Sequence, residues 1–203
     1  MHTCEQTKGQ TVFQHGESVW EHSQDLIQQL HGNVSDKAWR LPDWATKFGA
    51  QIIANLHPID IIEKYTRYHD IGKPLCRTVD PDGRIHFPNH AEVSRKAYLE
   101  ATGDTITANL IGWDMCLHTE KAEEIALRLG GGYFAGADKS WEQGYRPWTI
   151  QDACTLLIVA LSELHSNARL FGGIESTSFK IKWKTLDKRG KQICRYYFEK
   201  EGV

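Results

Sequence analysis

Tyr68-His69-Asp70-Ile71-Gly72-Lys73-Pro74 is the stretch on which the reading of this chain turns. It follows a segment, Pro58 to Tyr68, whose apolar residues recur at helical spacing, and Gly72 and Pro74 stop that helix directly after the His-Asp pair. Adjacent residues on a helix diverge by about 100°. A site that uses both His69 and Asp70 must therefore lie at a helix end or between helices. There an aspartate can give one oxygen to each of two ions, while a histidine gives one neutral nitrogen. The competing reading is a helix-end salt bridge or cap.

Working outward, the chain reads as helix after helix. Ser18 to Leu30 carries Val19, Leu26, Ile27 and Leu30 on one stripe, and Pro42 to Leu56 is a second helix with proline in its first turn. After the doublet, Asp80-Pro81-Asp82-Gly83 is a turn between short extended pieces. Asn89 can cap a helix from Ala91 to Ala101. Further helices span about Ala108 to Leu117 and Glu120 to Leu129. Gly130-Gly131-Gly132 breaks the chain and 131–148 reads as a loop. Thr149 caps the last long helix, which runs to about Leu170. From Phe179 the period changes: Phe179, Ile181 and Trp183 alternate with lysines, and Asp187-Lys188-Arg189-Gly190 reads as a turn. That predicts a β-hairpin with one packed face. The expected fold is mainly α, a helical bundle over 1–178 with a small basic, aromatic β-hairpin tail over 179–203 packed on it.

The chain has 203 residues and is 40% apolar, enough for one globular core. The net charge of −2 points to no partner in bulk. No apolar run approaches the ~20 residues of a membrane span, and the N-terminus lacks the charged-then-apolar pattern of a signal peptide. Five scattered cysteines without a C-x-x-C suit reduced thiols and a cytoplasmic setting.

Ten histidines are more than a chain of this size usually carries, and several fall where a core would prefer an apolar side chain. His22 shares the inward stripe of Val19 and Leu26, as a ligand or as a core histidine bonded to a carbonyl. His90 opens a helix and His118 closes one. Glu163 projects from the apolar face of Leu156 and Ala160, where an unpaired carboxylate is costly and something cationic should meet it. One His, then His-Asp, then two further His, then a carboxylate makes a mixed nitrogen and oxygen set. It suits one or two divalent transition ions, Mn, Fe, Co or Ni, with Zn also fitting.

This ordering resembles the HD-domain metal-dependent phosphohydrolases, over about Phe13 to Gly173. His15 to His22 looks like the family's first helix, whose second histidine is the first ligand. The 68–74 stretch matches the defining doublet, Phe87-Pro88-Asn89-His90 is similar to the third motif, and Cys116-Leu117-His118 matches the fourth histidine. The resemblance implies one ion held by His22, His69, Asp70 and Glu163 and a second by Asp70, His90 and His118. It departs at the last ligand: the family has an aspartate where this chain has Glu163, and Asp152 at the start of that helix is the fallback.

What the resemblance implies about function is hydrolysis of a phosphate ester by water activated on the metal. Asp70 is then central, Lys73 would neutralise charge on phosphorus, His15 would orient substrate or protonate the leaving group, and Asn167 and Arg169 would reach the phosphate. Residues 179–203 hold eight Lys or Arg against three acids, interleaved with aromatics. Such a mixture can grip phosphates and stack bases, or it can be a solvated hairpin. The expected substrate is a nucleotide or nucleic-acid end, cleaved by a phosphomonoesterase or 2′,3′-cyclic phosphodiesterase. The alternatives are a nucleoside-triphosphate or dinucleotide hydrolase, and a non-catalytic metal-stabilised module that senses a nucleotide.

Overall fold

The structure, a computed structural model, describes residues 1–7, 9–130 and 146–199. Most of the expected 131–148 loop, Gly131-Gly132 and the last four residues of the tail lie outside these. The fold is mainly α, with two small antiparallel strand pairs. The first pair, β1 (Glu5–Thr7) and β2 (Gln10–Thr11), leads into α1 (Val12–Leu30). Thr11 caps α1 by accepting from the Gln14 amide, and Gln14 returns the bond to the Thr11 amide. The helix thus starts six residues before the expected Ser18, and His15 lies within its first turns.

α2 (Asp43–Ala54) and α3 (Ile59–Tyr68) follow, and His69 ends α3. A one-turn α4 (Lys73–Cys76) leads into β3 (Thr78–Val79) and β4 (Ile85–His86), the extended pieces around the Asp80–Gly83 turn. α5 (His90–Thr102) begins after Asn89, which sits at φ 53° and makes no side-chain cap, contrary to the role expected of it. The helix expected over 108–117 is two: α6 (Thr105–Gly112) and α7 (Cys116–Thr119), parted at Trp113–Met115. α8 (Ala122–Arg128) precedes α9 (Ile150–Ser166), and a 3-10 turn follows at Ala168–Phe171.

The tail corrects the sequence reading. Thr177–Phe198 is not a hairpin but one helix, α10, capped by Ser176. The lysine alternation suggested a two-residue period, yet Ile181 on the supposed packed face is 62% exposed. The residues that are buried, Phe179, Leu186, Gly190, Ile193 and Cys194, follow a helical stripe. Gly190, read as part of a turn, is a contact point: a Cβ there would stand 2.2 Å from the Trp44 ring.

α9 organises the interior. Leu156 to Leu161 is apolar all round, and such a helix is stable only when surrounded. α1, α3, α7 and α10 pack on it, and Phe179, Leu186, Ile193 and Cys194 of α10 join its core. Two glycines set how close the neighbouring elements come. A Cβ on Gly16 of α1 would lie 2.5 Å from the Arg67 carbonyl oxygen of α3, and one on Gly72 would lie 2.4 Å from the Ser94 nitrogen of α5. The Gly72 amide donates to Ser94 Oγ at 2.9 Å. Both contacts flank the His-Asp doublet in space.

Candidate metal centre

α1 presses on α3 at Gly16, so its neighbour His15 is level with the end of α3, where His69 and Asp70 leave the helix. The His15 and His69 rings meet edge to face at 5.1 Å. His15 Nε2 lies 3.8 Å from Asp70 Oδ2, and His69 Nε2 lies 3.2 Å from the same oxygen. Asp70 Oδ1 is turned the other way, 3.6 Å from His90 Nε2 at the start of α5. Glu163, from the last turn of α9, does the same with its two oxygens: Oε1 is 3.8 Å from His15 Nε2, and Oε2 is 3.1 Å from His118 Nε2 on α7. Five of the six expected ligand positions, His69, Asp70, His90, His118 and Glu163, thus converge, and the sixth place is taken by His15.

His22 is the correction. It lies two turns along α1 from His15, roughly 10 Å of rise, and turns its ring edge to Trp39 while Nδ1 donates to the Ser18 carbonyl at 2.7 Å. Burial pulls its pKa down, as for a packed neutral ring. Seven-residue spacing puts both histidines on one stripe, but only the one beside Gly16 reaches α3. Asp152 is also excluded as the last ligand. It is buried at the start of α9, where it accepts from Arg146, His57 and Thr149. Burial opposes its ionisation, yet the His57, Arg146 and Thr149 bonds hold it well below the usual aspartate range.

Asp114 is the residue the sequence reading missed. It sits between α6 and α7, 4% exposed, and Tyr65 Oη donates to its Oδ1 at 2.8 Å. A ligand oxygen of Asp114 lies within 4.8 Å of ligand atoms of His69 and Glu163. Its signal was available: an acid in the apolar run before His118.

No family model, curated protein or solved structure matches this chain. The site is therefore judged on its own chemistry. His15 Nδ1 and Nε2, His69 Nε2, Asp70 Oδ1, His118 Nε2 and Glu163 Oε2 are buried and make no well-directed hydrogen bond among the described residues. Buried polar atoms are ordinarily paired, and here several point at one another. The backs of two rings are fixed in the manner of metal ligands: His69 Nδ1 donates to the Thr66 carbonyl at 2.8 Å and His90 Nδ1 to the Phe87 carbonyl at 3.1 Å, leaving each Nε2 lone pair inward. Buried His, Asp and Glu side chains in this cluster could hold a metal ion.

The electrostatics agree. Burial opposes charge on His69, but Asp70 and Asp114 beside it, with Glu163, raise it to about 10. Burial likewise opposes ionisation of Asp70, yet His69, Lys73 and His15 keep it well below the aspartate range. Glu163 is held low against its burial by His118, whereas burial and the nearby Glu163 push Asp114 up. Three buried carboxylates around one centre demand positive charge.

The remaining expected residues are Lys73, Asn167 and Arg169. Lys73 Nζ is 2.6 Å from Asp70 Oδ2 and 5.4 Å from the Phe87 ring centre. Asn167 is one turn after Glu163 with a buried Oδ1 that accepts no hydrogen bond. Arg169 is exposed on the 3-10 turn and forms no ion pair among the described residues. His165, two residues after Glu163, belongs to the core: Nδ1 donates to the Leu161 carbonyl, Nε2 accepts from the Arg40 amide, and burial pulls it down to about 4. None of the five cysteines forms a disulfide, and among the described residues no helix is long and apolar enough to cross a membrane.

Proposed function

We propose that this protein is a metal-dependent phosphohydrolase of the HD type that cleaves a phosphate ester of a nucleotide or nucleic-acid end, as a phosphomonoesterase or 2′,3′-cyclic phosphodiesterase. The observation that carries this reading is the two-sided placement of Asp70 and Glu163. Each offers one oxygen toward His15 and the other toward a second histidine, His90 for Asp70 and His118 for Glu163. His15, His69, Asp70 and Glu163 would hold one ion, and His90 and His118 with the far oxygens of the two carboxylates a second. His15 takes the ligand role first expected of His22, rather than that of proton donor.

A divalent Mn, Fe, Co, Ni or Zn ion supplies Lewis acidity and lowers the pKa of water. The chain's own residues do the rest. Lys73 keeps Asp70 ionised and brings an ammonium to the rim where phosphoryl oxygens would lie. Tyr65 holds Asp114 in place beneath His69. Asn167, on the Glu163 face of α9, directs an amide toward the substrate. α10, with seven Lys or Arg against one Asp, makes an anionic substrate favourable.

The test is a chelator-stripped protein reloaded with Mn²⁺, assayed for bound metal and for turnover of an aryl phosphate, nucleoside monophosphates and 2′,3′-cyclic nucleotides. Expected are one or two ions per chain, metal-dependent turnover and its loss in Asp70→Ala. Metal-loaded protein that hydrolyses no ester in this panel overturns the enzyme reading.

A further inference from the structure

Asp114 is the carboxylate of the buried cluster to which the ion assignments above give no ligand role. The break between α6 and α7 turns it inward: Trp113 is buried against Trp148, and the next residue faces α3 and α9. Asp114 is 4% exposed, and among the described residues its carboxylate meets one neutral donor, Tyr65 Oη at 2.8 Å. The cationic groups nearby are turned to other oxygens, Lys73 Nζ and His69 Nε2 to Asp70 and His118 Nε2 to Glu163. A carboxylate buried without a cation is costly, and a single hydroxyl does not supply the missing charge.

The surroundings of Asp114 show where that charge would sit. One of its oxygens lies within 4.8 Å of ligand atoms of both His69 and Glu163. Ligand atoms that share an ion through bonds of about 2.1 Å stand about 3 to 4 Å apart, so these three need little movement to share one. His69 Nδ1 is given to the Thr66 carbonyl, and His69 Nε2 and Glu163 Oε2 are buried without a well-directed hydrogen bond. The unpartnered atoms therefore belong to the two residues beside which Asp114 stands. Tyr65 lies one turn before His69 on the same face of α3. That helix thus carries both a ring that can ligate and the hydroxyl that orients the acid.

We propose that Asp114 is a further metal ligand, joining His69 and Glu163 on the ion that His69 holds, and that it raises the affinity of this site for Mn²⁺ relative to Zn²⁺. This rests on the metal-dependent reading above and adds the class of ion. With Asp114 the donors are three carboxylates, Asp70, Asp114 and Glu163, and two imidazoles, His15 and His69. Without it they are two and two, a set of four that suits tetrahedral Zn²⁺ equally well. Carboxylate oxygens suit Mn²⁺, and a fifth donor exceeds what a tetrahedral ion takes. Tyr65 is a positioning residue that acts through Asp114.

The test uses the chelator-stripped full chain, as wild type, Asp114→Asn, Tyr65→Phe and Asp70→Ala, titrated calorimetrically with Mn²⁺ and with Zn²⁺ and unfolded by heat with and without Mn²⁺. Asp114→Asn keeps the shape of the side chain and an acceptor for Tyr65. It is expected to weaken one Mn²⁺ site by more than about tenfold and Zn²⁺ less, so that the Mn²⁺-to-Zn²⁺ affinity ratio falls. Tyr65→Phe is expected to weaken Mn²⁺ by about tenfold, as loss of an outer-shell partner does. Stripped Asp114→Asn is expected to unfold no lower than the stripped wild type, since it no longer buries an acid without a cation, and to gain less from Mn²⁺. Mn²⁺ affinity within twofold of wild type in Asp114→Asn overturns the proposal, as does a lower unfolding temperature with an unchanged gain from Mn²⁺, the mark of a purely structural acid. If Asp114→Asn does not fold, Tyr65→Phe decides, and an unchanged affinity ratio there overturns the proposal. Loss of Mn²⁺ in Asp70→Ala but not in Asp114→Asn removes Asp114 alone and leaves the metal centre standing. A wild type that binds no Mn²⁺ overturns both. Absence of ester turnover fails the hydrolase reading while every readout of this test stays measurable.

Discussion

His15 Nε2 lies 3.8 Å from Glu163 Oε1, across the contact of α1 with α9. This pairing decides two things that linear order leaves open, which histidine of the first helix reaches the buried carboxylates and how far the Glu163 side chain extends. Glu163 has the length to touch His15 and His118 at once.

His15→Ala is expected to lower metal affinity by at least about 100-fold, more than the loss of an outer-shell partner costs. His22→Ala is expected to leave metal content within about twofold. Calorimetric titration with Mn²⁺ checks both; equal losses in the two variants would restore His22 as a ligand.

Shortening Glu163 should separate reach from charge. Glu163→Asp keeps the carboxylate but cannot span both histidines, so one ion is expected to be lost or weakened about tenfold while the other stays. Glu163→Gln removes the charge and is expected to weaken both. Metal stoichiometry after gel filtration distinguishes the two patterns.

The two close-approach glycines should have different consequences. Gly16→Ala forces α1 off the Arg67 carbonyl, a backbone atom that cannot swing aside. It is expected to cost about 1–3 kcal/mol and also to weaken metal binding, because His15 moves with α1. Gly190→Ala meets the Trp44 ring and is expected to cost a similar amount. It should leave metal affinity unchanged. Denaturant unfolding and metal titration of both variants test this contrast.

Asp152 should make the fold sensitive to acid. Its native pKa lies below the ordinary 3.8, so its contribution is fully present above that value and is lost as pH falls toward the lowered native one. Asp152→Asn is expected to destabilise the protein by about 2 kcal/mol or more at pH 7. The deficit should narrow below pH 4, because the wild type loses there what the variant never had. A deficit constant across pH would show that the carboxylate charge is not what caps α9.

Most of the helices were legible, because each shows its buried stripe to a reader counting by 3.6. α10 was not. Its lysines fall at every second position only at Lys180, Lys182 and Lys184, and that local rhythm masked the longer stripe of Phe179, Leu186 and Ile193. Asp114 carried a local signal, an acid in an apolar run, but its contacts with Tyr65 and His69 come from distant parts of the chain and exist only in the fold.

By itself the sequence determined a helical chain and most of the candidate metal cluster: the His69-Asp70 doublet at a helix end, and His90, His118 and Glu163 at positions an apolar core would not choose. Side-chain type and periodicity are local properties, and local properties survive in a linear string. Only the tertiary structure decided which helix faces meet. The missing Cβ of Gly16 lets α1 touch α3, which makes His15 the partner of Asp70 and Glu163 and leaves His22 against Trp39.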